Sequence, residues 1–154
     1  MNLQIVLTPL QQKAADSLLL SLAVSPVAVV SGAAGVGKTS ILRTLHTLEG
    51  GVFLGGQHFG VRQSLEPAAI EEAFFRIIED ALQSYNLVLV DDLTIVINAA
   101  VGGGRGRVHL LDAALTAILA EARVLNRKLI FAVEDQIPWP IRRRARIVQV
   151  HGGD

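Results

Sequence analysis

Residues 27–40, VAVVSGAAGVGKTS, constrain the fold of this chain more than any other stretch. Val27–Val30 form a short apolar run rich in β-branched side chains, the pattern of a strand buried on both faces. Gly and Ala then fill five of the seven positions from Ser31 to Gly37, a single lysine follows, and ILRTLHTL continues with helical character to about Leu48. A strand that turns into a helix across so little side-chain bulk lets the backbone curl until successive N–H groups face one point. The start of the helix adds partial positive charge at that point, and Lys38 adds a full one.

Gly32-Ala33-Ala34-Gly35-Val36-Gly37-Lys38-Thr39 satisfies G-x-x-x-x-G-K-[ST] between a strand and a helix, the context the motif requires. The motif predicts a loop over 32–39, with Ser40 next in the helix, that binds a nucleoside triphosphate. Lys38 reaches the β- and γ-phosphates and the Thr39 hydroxyl ligates Mg²⁺. A second apolar strand, NLVLVDD, ends in Asp91 and Asp92. Asp91 is placed to hold Mg²⁺ through water, and Asp92 to polarise the attacking water.

The surrounding pattern predicts alternating elements. TPLQQKAADSLLLSLAVSP reads as a helix over about 8–24, capped by Thr8 with Pro9 in its first turn. VFLG is a short strand. EPAAIEEAFFRIIEDALQSY is a helix with Ile70, Phe74, Ile77, Ile78 and Leu82 on one face. VGGGRGR (101–107) reads as a loop before a helix from about Leu110 to Leu125; KLIFAVED and ARIVQV (about 145–150) are the last strands. Strands alternating with helices predict an α/β fold: a three-layer αβα sandwich around a mainly parallel five-stranded sheet, spanning 1–154 as one domain. Ligands of such sheets sit beyond the carboxyl ends of the strands, where the glycine run and the acidic pair both fall.

With 14 basic and 14 acidic residues the formal charge is zero, which gives no general attraction to nucleic acid or an anionic membrane. The charge is polarised: residues 1–100 are acidic on balance, 101–154 basic, with the densest cluster in IRRRAR. Such asymmetry suits head-to-tail self-association, although a solvated surface accounts for it equally. Cysteine is absent, so neither a disulfide framework nor a thiolate metal site exists. The amino terminus lacks a basic signal region and no apolar run is long enough to span a bilayer, so a cytoplasmic location is expected. His46, His58, His109 and His151 show no ligand spacing.

With both motifs in order, the chain resembles the large α/β subdomain of the AAA+ ATPases over roughly residues 8–150. The resemblance implies a phosphate-loop NTPase fold, ATP and Mg²⁺ as cofactors, and ATP hydrolysis in a ring or helical homo-oligomer acting on a protein substrate or partner subunits. It places a pore loop in FLGGQHFG, where Phe59-Gly60 either grips a polypeptide or packs on its own domain. VGGGRGR would be a second pore or inter-subunit loop carrying Arg105 and Arg107, or a plain connection. It implies that an arginine of IPWPIRRRARIVQV acts in a neighbour's site, Arg144 by spacing, with Arg143 and Arg146 as alternates. Trp139, between two prolines, anchors the turn into the last strand.

Three departures bear on turnover. The sensor strand of that family usually presents Asn, Thr or Ser, and here the matching positions are Glu134 and Asp135. Asp92 stands where Glu is typical and is one methylene shorter. The sequence stops after VQVHGGD, where a helical lid would begin, which predicts weaker nucleotide affinity. Two other functions stand beside the ATPase: a nucleotide-binding switch with little turnover, and a small-molecule phosphotransferase built on the same loop.

Overall fold

A computed structural model describes residues 6–55, 58, 70–102 and 105–151. The first helix, α1 (Pro9–Leu22), opens with a capping box: Thr8 Oγ1 accepts from the Gln11 amide, and Gln11 Oε1 accepts from the Thr8 amide. These bonds satisfy two of the donors that a helix start leaves orphaned. Then come β1 (Val27–Ser31), α2 (Lys38–Glu49), β2 (Val52–Leu54) and α3 (Ile70–Ser84). They are followed by β3 (Leu87–Val90), α4 (Leu93–Gly102), α5 (Arg105–Val124), β4 (Lys128–Val133), α6 (Trp139–Arg144) and β5 (Arg146–Gln149).

All strand pairings are parallel, in the order β2-β3-β4-β1-β5. Alternate strand residues point to opposite faces, and the core divides accordingly. Val27, Val29, Val88, Val90, Leu129, Phe131 and Val133 pack with α3, α4, α5 and α6 on one face. Ala28, Val30, Leu89, Ile130 and Ala132 pack with α1 and α2 on the other. The five-stranded, three-layer α/β architecture is the expected one.

Two expectations need correction. The sequence pattern assigns no element to 93–102, yet α4 occupies it, burying Leu93, Val96, Ile97 and Ala100. That i, i+3, i+4, i+7 stripe is hidden in the sequence because Ile95 and Val101, on the outward side, are apolar too. The expected loop at 101–107 is also largely helical: α4 runs to Gly102 and α5 begins at Arg105. Gly106 falls in the first turn of α5, where glycine is less costly than in a helix interior, and α5 packs against α3 and α4. The pore-loop assignment at Phe59-Gly60 lies outside the described residues.

Arg107 therefore has a structural role within α5. Its guanidinium lies 3.0 Å from Glu71 Oε1, and Glu71 is only 2% exposed. Removing one partner of a buried pair strands the other charge. Arg107→Ala is expected to lower unfolding stability by about 2–3 kcal/mol in chemical denaturation, below the value for a fully buried pair because the arginine is partly solvated.

Candidate functional site

Placing β4 between β1 and β3 brings three strand ends side by side, from which the glycine-rich loop, the acidic pair and Glu134 emerge. The end of β1 is tied to that of β4: Ser31 Oγ donates to the Glu134 carbonyl at 2.8 Å, and the Gly32 amide donates to the Val133 and Glu134 carbonyls at 3.2 Å. The loop then reverses through Gly35 (φ 89°) and Gly37 (φ 96°), a left-handed backbone that side chains resist. At Gly37 a Cβ would also collide with the Gln11 side chain. Gly37 caps α2 without any side-chain hydrogen bond, so the first-turn amides are left facing the loop's interior.

Lys38 Nζ arches over this turn and donates to the Gly32 and Ala33 carbonyls, the second at 2.9 Å. Thr39 Oγ1 donates to Asp91 Oδ2 at 2.7 Å, joining the first turn of α2 to the tip of β3. Asp91 is 5% exposed, and its amide is held by the Leu54 carbonyl at 2.8 Å. Asp92 adopts φ 56°, a conformation Asp tolerates better than most residues. Asp92 lines a cleft of ≈ 300 Å³ together with Lys38, Thr39, Thr94 and Glu134. Burial raises the Asp92 pKa above its ordinary 3.8, and the Asp91 and Glu134 charges raise it further, against an opposing pull from Lys38.

The expected site residues separate into two sets. Gly35, Gly37, Lys38, Thr39 and Asp92 converge on this cleft, with Asp91 bonded to Thr39 at its edge. Gly32, Ala33 and Val36 border a second cleft of ≈ 360 Å³, which Asp135 and His151 also line, while Ala34 and Glu134 line both clefts. Ser40 lines neither cleft. Arg143, Arg144 and Arg146 are exposed on α6 and β5 and also line neither cleft. Trp139 Nε1 donates to Asp112 Oδ2 at 3.2 Å, fastening α6 to α5.

Sequence reasoning missed two polar residues here. Thr94, in the first turn of the unforeseen α4, accepts the Glu134 amide at 3.0 Å and keeps its hydroxyl proton for a partner in the cleft. Gln11 Nε2 donates to the Val36 carbonyl at 3.0 Å. The Thr8-x-x-Gln11 spacing signals the cap but not this second contact.

Donor chemistry at the Thr39–Asp91 junction is hard oxygen only, which suits Mg²⁺ completed by phosphate and water oxygens. Among the described residues no cluster of three His, Asp or Glu forms a metal site from protein donors alone. No helix there is long and apolar enough to cross a membrane.

No family model and no curated protein matches the chain. Solved structures do match. AMPPCP-bound DnaA from Aquifex aeolicus is 15% identical with a TM-score of 0.57, over 94% of this chain and 48% of that one. Domain III of the Thermotoga maritima replication initiation protein DnaA is 15% identical with a TM-score of 0.58, over 94% of this chain and 64% of that one. The Walker-type ATPase of Pyrococcus abyssi is 18% identical with a TM-score of 0.54, over 94% and 54%. The chain thus spans about half the length of the first structures it matches. At these identities the likeness speaks for the backbone alone. The chain has the fold of an AAA+-type phosphate-loop NTPase domain.

Proposed function

We propose that this chain binds and hydrolyses ATP with Mg²⁺ as the nucleotide-binding core of a head-to-tail oligomer. The observation that carries this reading is the 2.7 Å bond between Thr39 and Asp91, beside an uncapped α2 start and an arched Lys38. Amides of the 32–37 loop and Lys38 would hold the phosphates, and Thr39 and Asp91 would hold Mg²⁺. When bound, the metal neutralises charge on the triphosphate oxygens. Asp92 orients the attacking water and accepts its proton. Arg144 reaches a neighbour's γ-phosphate, with Arg143 and Arg146 as alternates; arginine's planar fork suits that grip. All three are exposed, which leaves them accessible to a neighbouring chain. The matched DnaA is AMPPCP-bound, and another matched structure concerns katanin self-assembly, which agree with nucleotide binding and oligomer formation.

The test is phosphate release against protein concentration, with molecular mass recorded with and without ATP. Specific activity is expected to rise with concentration. Arg144→Ala is expected to lose at least about 100-fold in turnover while keeping MgATP affinity, the signature of a finger acting on the transition state. Mixing Arg144→Ala with Asp92→Asn protein is expected to restore part of the activity, since some interfaces then pair an intact arginine with an intact aspartate.

Glu134 favours a second reading, a nucleotide-binding switch with little turnover. It stands in the cleft with Asp92, where the γ-phosphate would meet two carboxylates. Tight MgATP binding with negligible phosphate release at high protein concentration would select the switch.

A further inference from the structure

We infer that Gln11 is a positioning residue of the phosphate loop, one amide side chain that both caps α1 and clamps the loop from outside; the nucleotide part of this rests on the reading above. The two ends of the side chain have separate tasks. Oε1 accepts from the Thr8 amide at 3.0 Å and completes the capping box. Nε2 donates to the Val36 carbonyl at 3.0 Å, across 25 residues of sequence. The same side chain lies directly against Gly37, on the side where a Cβ would project.

Val36 and Gly37 are the last residues before Lys38, so their peptide planes set the direction of the amides that face the loop interior. Among the described residues the main-chain bond from the Val36 amide to the Ala33 carbonyl is long at 3.3 Å, and Lys38 Nζ holds the carbonyls of Gly32 and Ala33, at the far end of the loop from Val36. A glycine-rich turn loses much entropy on ordering. A bond from a residue already fixed by a helix cap lets part of that cost be met before any phosphate arrives, which raises affinity. Because α1 packs on β1 through Ala14, Ala15 and Leu18, the clamp is anchored in the core.

The chemistry of Gln11 separates clamp from cap. Gln11→Glu keeps an acceptor for the Thr8 amide, and Glu is a favoured capping-box residue, but it cannot donate to Val36. Gln11→Met removes both bonds with little change of volume or charge. Thr8→Ala removes only the cap bond to the Gln11 amide.

Two readouts apply: MgATP affinity by titration, and hydrogen exchange of the 34–39 amides in nucleotide-free protein. Gln11→Met and Gln11→Glu are expected to weaken MgATP binding about 2- to 10-fold, the loss of one neutral hydrogen bond, and to speed exchange of those amides. KM is expected to rise with kcat little changed. Thr8→Ala is expected to lower thermal stability while leaving affinity and loop exchange as in the parent. Parent-like exchange and affinity in Gln11→Met, measured where Lys38→Ala weakens binding in the same assay, overturns the proposal. Weakening in Gln11→Glu alone also overturns it, since added charge then accounts for the loss. If the parent protein binds no MgATP, the nucleotide reading fails by itself, and exchange in Gln11→Met still decides whether the clamp orders the loop.

Discussion

Lys38→Ala protein is expected to fold normally, to bind MgATP about 10- to 100-fold more weakly, and to lose about 1,000-fold in phosphate release. In the parent the ammonium rests on the Gly32 and Ala33 carbonyls, neutral acceptors at the loop's mouth. A triphosphate offers charged oxygens in the same region, and charge-assisted bonds are about twice as strong as neutral ones. One such bond contributes about 1.5–3 kcal/mol, enough for a 10- to 100-fold change in affinity. Charge that develops in the transition state raises the stake for turnover to about 1,000-fold. The fold is spared because Lys38 is half-buried and outside both apolar clusters. Nucleotide titration, phosphate release and a thermal melt on the same preparation check all three parts. Full turnover in Lys38→Ala protein refutes the assignment of the loop.

Asp92→Asn should separate binding from chemistry. Hydrolysis is expected to fall about 10²- to 10⁴-fold, the usual contribution of a positioned general base. MgATP affinity should hold or improve, since a negative charge leaves a cleft that already contains Glu134. Stability at neutral pH should rise. The Asp92 pKa is raised in the folded chain, first by burial and then by Asp91 and Glu134, so the ionised form is disfavoured there relative to the unfolded chain. That penalty is present above the folded pKa and disappears as pH falls through it toward the unfolded value near 3.8. The stabilisation by Asn should therefore shrink in acid. Activity runs in the opposite sense: a base must be ionised, so the parent's rate should decline on the acid side about a pKa above 3.8. Unchanged turnover in Asp92→Asn protein assigns the base elsewhere, and a melt that moves down refutes the electrostatic account.

A substitution that gains stability and loses activity is what a carboxylate held in unfavourable surroundings for chemical reasons should give. Thr39–Asp91 is different in kind. Its carboxylate is almost fully buried but has a hydroxyl partner, and so forms part of the joint between α2 and β3. The same acidic dipeptide thus supplies one structural joint and one partly desolvated group that lines the cleft.

Much of this was legible from residue order because its causes are local. Val27–Val30 and Leu87–Val90 announce strands buried on both faces, and the core accepts alternate members of each on opposite sides of the sheet. The glycines at 35 and 37 announce a left-handed turn whatever surrounds them. Acids that end a parallel strand must lie at the ligand-binding edge of such a sheet. Helix α4 was illegible for an equally local reason: a helix apolar on its outward side shows no 3.6-residue contrast.

By itself, then, the order of residues determined which segments are strands, where the chain must curl, and that Lys38, Thr39, Asp91 and Asp92 belong to one edge of the sheet. Only the tertiary structure decided that β4 sits between β1 and β3, and with it the presence of Glu134 and Thr94 beside Asp92. It also decided that Gln11 touches Val36 and that Arg107 belongs to Glu71 rather than to a loop. These pairings join residues 25 to 40 positions apart in sequence. Local propensity acts over one or two turns of chain, whereas such contacts depend on how whole elements bury their apolar faces, and no short stretch carries that information.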